Sequence, residues 1–203
     1  MGKKRYDIWA LLEKACKSKR DKKNSTPPTE AQLMQRHKFR VVAKFVKHAK
    51  NMIMHGYEVH KLKTMTPVNF LTKQILLSAV IGEYPDYRID YSKVGLSSGK
   101  LDGVIVKEAV LLLNGNIKLS WEQYDSNQLP TRNDDAAFIF IYDSEKNQSF
   151  NFKYAAKRSD LSVELELLSS IHKKENLHCW LFFKAKEGHH ASWCEYYTLT
   201  DEF

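Results

Sequence analysis

Phe138-Ile139-Phe140-Ile141-Tyr142 is the stretch whose reading decides the fold. It is too short for a stable helix and carries no polar residue on either alternating face, as a central strand with two covered faces would. Leu177 to Phe183 reads the same way. Around these two lie segments with a clean period of two. Ile117, Leu119 and Trp121 alternate with Lys118 and Ser120. Phe150, Phe152 and Tyr154 alternate with Asn151 and Lys153, and Leu161, Val163, Leu165 and Leu167 with Ser162, Glu164 and Glu166. Each is a half-buried strand with one wet face. Asn114-Gly115 is a strong hairpin signal, Asp143 to Asn147 a polar loop, and Lys186 to His190 a turn containing Gly188.

Upstream of Pro85 the period is helical. Thr29 with Gln32 forms a capping box. After it, Phe39, Val42, Val46, Ala49 and Ile53 make a stripe expected to be buried, and Gly56 is a C-terminal stop. Thr66-Pro67 opens a further helix through Val68, Leu71, Ile75 and Ala79 to Gly82. Residues 6–19 are helix-prone, and Pro27-Pro28 marks a hinge. The expected organisation is a basic helix with linker over 1–28, a helical segment over 29–82 and a β domain over 83–203.

The charge divides along the same boundary. Residues 1–63 hold 17 Lys and Arg against 5 Asp and Glu, whereas the whole chain of 203 residues has a net charge of +8. With 43% apolar residues the chain builds a real core. No run of apolar residues is long enough for a membrane span, and no classical signal peptide is present, so a cytoplasmic location is expected. Cys16, Cys179 and Cys194 do not make a disulfide framework; Cys179 and Cys194 are expected near one another on neighbouring strands, where a bridge would be a reach in a reducing compartment.

Two resemblances follow from these residues. Gly115 to Glu122, with its Trp121, resembles the second strand of a fibronectin type III domain. The later strands follow that domain in order and length over residues 104–200. Residues 27–103 resemble an uncharacterised family, a domain of unknown function common in Bacteroidota. The blocks that carry this are Pro27 to Leu33 with Gln35-Arg36 and Lys38-Phe39, Met65-Thr66 with Asn69, Gly82 with Tyr84-Pro85, and Ile89 to Val94 with Leu96-Ser97, Gly99 and Leu101. The family's glycine-rich beginning is replaced here by Tyr6 to Lys19. The resemblance implies a β-sandwich at the end of the chain and brings no activity.

Motifs for chemistry fail on spacing. Gly95 to Leu101 has three residues between its glycines and Leu after Lys100, so it is a turn and not a phosphate loop. Asp134-Asp135 reads as a solvated turn. His189, His190 and Cys194 are the candidate metal ligands, but adjacent residues on an extended chain point to opposite faces, which works against a tetrahedral site. The expectation is therefore no cofactor and no enzyme.

The fold expected is α+β, with N-terminal basic helices before an antiparallel Ig-like or fibronectin-like sandwich. The function expected is a non-enzymatic binding or assembly module, with a protein partner or a second copy. Tyr6, Ile8, Trp9 and Leu12 would be the anchor for assembly. The alternative is a nucleic-acid-associated protein using Arg36, Arg40, Lys44 and Lys47, with Lys22 and Lys23, on phosphates.

Overall fold

The computed structural model describes residues 27–57, 65–123, 131–167, 172–187 and 190–201. Two helices come first, α1 (Glu30–Gly56) and α2 (Pro67–Ser78), followed by the strands. These are β1 (Val80–Ile81), β2 (Arg88–Ile89), β3 (Val104–Leu111), β4 (Ile117–Gln123), β5 (Ala136–Asp143), β6 (Gln148–Phe152), β7 (Ser162–Leu165), β8 (Leu177–Lys184), β9 (Glu195–Thr198) and β10 (Thr200–Asp201). The chain divides into two compact units, Met1–Gln35 and Arg36–Phe203. In the first, the expected capping box is present. Thr29 N–H donates to Gln32 Oε1 at 3.2 Å, and Gln32 N–H donates to Thr29 Oγ1 at 3.3 Å.

The second unit holds every strand. One four-stranded sheet has the order β10-β3-β4-β7 and the other β6-β5-β8-β9, and a two-stranded hairpin joins β1 to β2. All pairings are antiparallel except the short parallel join of β10 to β3. The fold is thus α+β with its helices at the N-terminal side. Asn114-Gly115 turns the chain between β3 and β4, where Gly115 has φ +85°, a conformation that glycine adopts without steric cost.

Strand β5 runs down the middle of its sheet, and its two faces meet different partners. Ala137, Ile139 and Ile141, with Leu177, Cys179, Leu181 and Phe183 of β8, share one core with Ile117, Leu119, Trp121 and Leu165 of the other sheet. Phe138, Phe140 and Tyr142, with Trp180 and Phe182, instead join Val42, Phe45, Ala49, Met52 and Ile53 of α1 and Leu71 and Ile75 of α2. Phe45 is the centre of this second core. Its ring centroid lies 5.2 Å from Tyr142, 5.3 Å from Tyr91, 5.7 Å from Trp180 and 6.2 Å from Phe140. Tilted and edge-on pairs at such distances add to the burial of the rings.

Polar ends are tied down across the same layer. Trp180 Nε1 donates to Val94 O at 2.8 Å, and Tyr57 OH donates to Gly95 O at 2.7 Å. Helix α1 ends at Gly56, and the position requires glycine: a Cβ there would collide with the Leu96 carbonyl oxygen and with Ser97. The segment from Gly95 to Leu101 is therefore no simple turn but an irregular stretch with Leu96 and Ser97 buried.

Several expectations are corrected. Phe39 is 51% exposed, outside the buried stripe, which runs through Val42, Phe45, Val46, Ala49, Met52 and Ile53. Helix α2 ends at Ser78 rather than Gly82, because β-branched Val80-Ile81 pairs with Arg88-Ile89 and Gly82, with φ +86°, lies in the turn between them. Tyr154 and Leu161 lie outside β6 and β7; both are exposed and both have positive φ, which no strand residue adopts. Cys179 is paired with Tyr197 in the inter-sheet core, whereas Cys194 packs against the helical core, and both thiols are free.

His178 lies in the helix-facing layer, with Nδ1 2.9 Å from Tyr196 OH and its ring 4.1 Å from that of Tyr91. Burial pulls its pKa from 6.5 down to about 4. Burial also lowers His48. The unfolded chain takes up a proton on His178 near pH 6.5 that the folded chain refuses until about pH 4, so stability falls as pH drops through that interval. Urea unfolding at pH 7 and pH 4.5 is expected to show a loss to which His178 contributes about 2 kcal/mol after solvent screening. In His178→Phe the same pH step should cost correspondingly less. An unchanged pH step in that variant would contradict the assignment.

Candidate functional site

The opening between the two sheets begins where β3 and β9 part. Just before them, Leu101 and Ser192 form a parallel bridge, and Leu101 N–H donates to Ala191 O at 3.0 Å. At the far end the chain rejoins β3, with Thr200 opposite Val110 and Thr200 Oγ1 donating to Ala109 O at 3.3 Å. Between these two ties β9 is bonded to β8 on one side, and no ladder joins it to β3 among the described residues. The result is a seam of about 1020 Å³, with Val104, Val106 and Ala109 on one wall and Glu195 and Tyr197 on the other.

The β3 wall of the seam is irregular and charged. A bulge between Val106 and Glu108 takes Lys107 out of the β3–β4 ladder and sharpens the twist of that edge. Lys107 Nζ then pairs with Glu122 at 2.7 Å, and Lys118 Nζ with Glu108 at 3.2 Å. On the opposite wall, Tyr197 OH is buried without a hydrogen-bond partner among the described residues. Burial pushes its pKa well above the ordinary value, so it stays a neutral hydroxyl. Trp193 stands at the mouth, 62% exposed, and also borders a second hollow of about 310 Å³ beside Tyr57 and Phe70. A large exposed indole thus stands between two hollows.

One buried ion pair braces the end of the seam. Arg158 and Asp135 are 1% and 0% exposed, with Nε and Oδ2 3.4 Å apart. The guanidinium donates to Asp102 O at 2.9 Å and Gly103 O at 3.1 Å, and lies 4.2 Å over the Phe183 ring. Trp121 Nε1 donates to Arg158 O at 3.0 Å. Burial dominates on both partners, raising the Asp135 pKa and lowering that of Arg158. Asp135 is therefore a buried structural carboxylate and not part of a solvated turn. The run Asp134-Asp135 gave no hint of this, because its partner lies 23 positions away in sequence.

The remaining sequence candidates are spread out. Arg36, Arg40, Lys44 and Lys47 are exposed on one face of α1. Lys22, Lys23, Tyr6, Ile8, Trp9, Leu12 and His189 lie outside the described residues. His190 Nδ1 is buried beside Asp134, Asp135 and Glu187 without a hydrogen-bond partner among the described residues, whereas Cys194 packs against the helical core. Among the described residues no three His, Cys, Asp or Glu side chains converge to hold a metal ion, and no helix is long and apolar enough to cross a membrane.

The chain belongs to a family of unknown function (DUF6266), whose model matches residues 14–198. No curated protein and no solved structure matches it. Within this frame the brace of the seam is open to test. Asp135→Asn is expected to cost about 3 kcal/mol in chemical unfolding, since it takes from the buried Arg158 charge the carboxylate that acts on it most strongly. Adding Arg158→Met should recover most of that loss; a double variant no more stable than Asp135→Asn alone would contradict the pairing.

Proposed function

We propose that this protein is a non-enzymatic assembly module: a fibronectin-like sandwich, backed by helices, that seats an extended segment of a second copy along the seam between β3 and β9. The observation that carries this reading is the pair of strands tied at both ends and open between, with an exposed Trp193 at the mouth. Strand edges of this kind recognise extended chains through backbone hydrogen bonds and select them through alternating side chains. Apart from the two-residue β10, the order β3-β4-β7 with β6-β5-β8-β9, together with buried Trp121, favours the immunoglobulin-like arrangement.

The occupant that fits is Arg5 to Leu12 of a neighbouring copy. That stretch lies ahead of the family match, which begins at residue 14. Its sequence is helix-prone, so docking would have to draw it out; extended, it would place Tyr6, Ile8, Ala10 and Leu12 on one face and Trp9 on the other. Its eight residues would cover about 26 Å, enough to run along the stretch Val104–Val110 of β3, about 20 Å at the same rise. Lys3, Lys4 and Arg5 would then complement Glu195 on the wall. Chemistry at the seam is disfavoured because three of its four charged side chains are already engaged, which leaves Glu195 for the partner. Lys107 and Glu108 are in ion pairs, and Asp102 accepts from Thr131 at 2.9 Å.

Light scattering on the full chain at tens of micromolar should give a multiple of 23.7 kDa. Ile8→Asp and, separately, the surface change Trp193→Ser should each return the mass to 23.7 kDa with the far-ultraviolet spectrum unaltered. A monomer at every concentration would overturn the reading.

A further inference from the structure

Independently of the seam, we propose that the outward face of α1 is a nucleic-acid contact, a row of cations that lies along a phosphodiester backbone. Arg36, Arg40, Lys44, Lys47 and Lys50 recur at steps of four, four, three and three, so they share one helix face. That face is opposite the one that buries Val42, Phe45, Val46, Ala49, Met52 and Ile53. All five are exposed, and none is ion-paired among the described residues. From Arg36 to Lys50 the helix rises about 21 Å, enough to follow about six phosphates of one strand.

Nothing offsets this charge from within the helix, because no Asp or Glu occurs after Glu30 in α1. The field reaches His48, whose pKa is lowered first by burial and then by Lys47 and Lys44. The composition also separates nucleic acid from an acidic protein as the partner. The core of a protein interface is depleted in Lys and needs apolar anchors, whereas between Arg36 and Lys50 this face carries no apolar side chain larger than Ala43.

Aromatic rings stand at its margins instead. Phe39 is 51% exposed on one side; on the other the β1–β2 turn brings Tyr84, 40% exposed, to 5.8 Å from the His37 ring. Tyr87 lies 5.9 Å from His37 with Lys38 Nζ 4.8 Å above its ring. Rings beside a cationic track are what unpaired bases stack on.

The test is fluorescence anisotropy of a labelled 20-base-pair DNA duplex of arbitrary sequence, titrated with the full chain from about 50 to 300 mM salt. Binding is expected with a log–log salt slope of about −3 to −4.5, one phosphate per cation engaged. Arg36→Gln with Arg40→Gln should weaken it and reduce the slope by about 2. These two side chains are exposed, so circular dichroism should be unchanged. With oligo-dT in place of the duplex, Tyr84→Ala should weaken binding several-fold at constant salt slope. No binding at low salt would overturn the proposal. So would binding unaltered when Arg36, Arg40, Lys44 and Lys47 are all changed to Gln, which would assign the contact to basic residues elsewhere in the chain.

Discussion

The structure depends on the packing of Phe45 and its neighbours onto the outer face of β5 and β8. Phe138, Phe140, Trp180 and Phe182 point away from the inter-sheet core and are buried by the helices. Each is worth about 1.5–3 kcal/mol when removed from water, so the four together rival the whole stability of a typical domain, about 5–15 kcal/mol. A β domain stripped of α1 would expose all of them as one apolar patch. The helical segment from Val42 onward is therefore a layer of the fold and not a tethered extension.

That layer also bears on the edge proposed to dock a second copy. One face of the β6-β5-β8-β9 sheet is covered by helices and the other by the second sheet, and among the described residues β9 has a ladder partner on one side only, β8. The Arg158–Asp135 pair and the guanidinium bonds to Asp102 and Gly103 fix where β3 starts. The bulge at Lys107 lies in the stretch of β3 that faces β9 without a ladder. Pre-organised strand edges bind without the entropy cost of ordering them, which is the physical case for the seam as a docking site.

Much of the fold was legible because period-two and period-three-to-four patterns report burial directly. Ile117 to Trp121, the doubly apolar Phe138 to Tyr142, Asn114-Gly115 and Thr29 with Gln32 all have the structures their spacing implies. A strand apolar on both faces says that each face is covered but not by what, so the helical layer over Phe140 and Trp180 was not legible. Positive φ at Leu161 and Tyr154 is a tertiary effect at non-glycine residues, invisible to a pattern of apolar positions. The seam was hidden for a related reason. It arises from where β3 and β9 diverge and rejoin, and its wall residues Val104, Val106 and Tyr197 read simply as strand. The partners of Asp135 and His37 are likewise set by long-range packing, not by local spacing.

The central claim is that the β3 and β9 edges are the surfaces another copy occupies. Hydrogen exchange of the full chain at low and high protein concentration tests it residue by residue. The account requires protection to rise with concentration at the amides of Val104–Ala109 and Glu195–Thr198, while β5 and β8 stay equally protected throughout. Exchange at those two edges that is independent of concentration, or new protection confined to another surface, would contradict it.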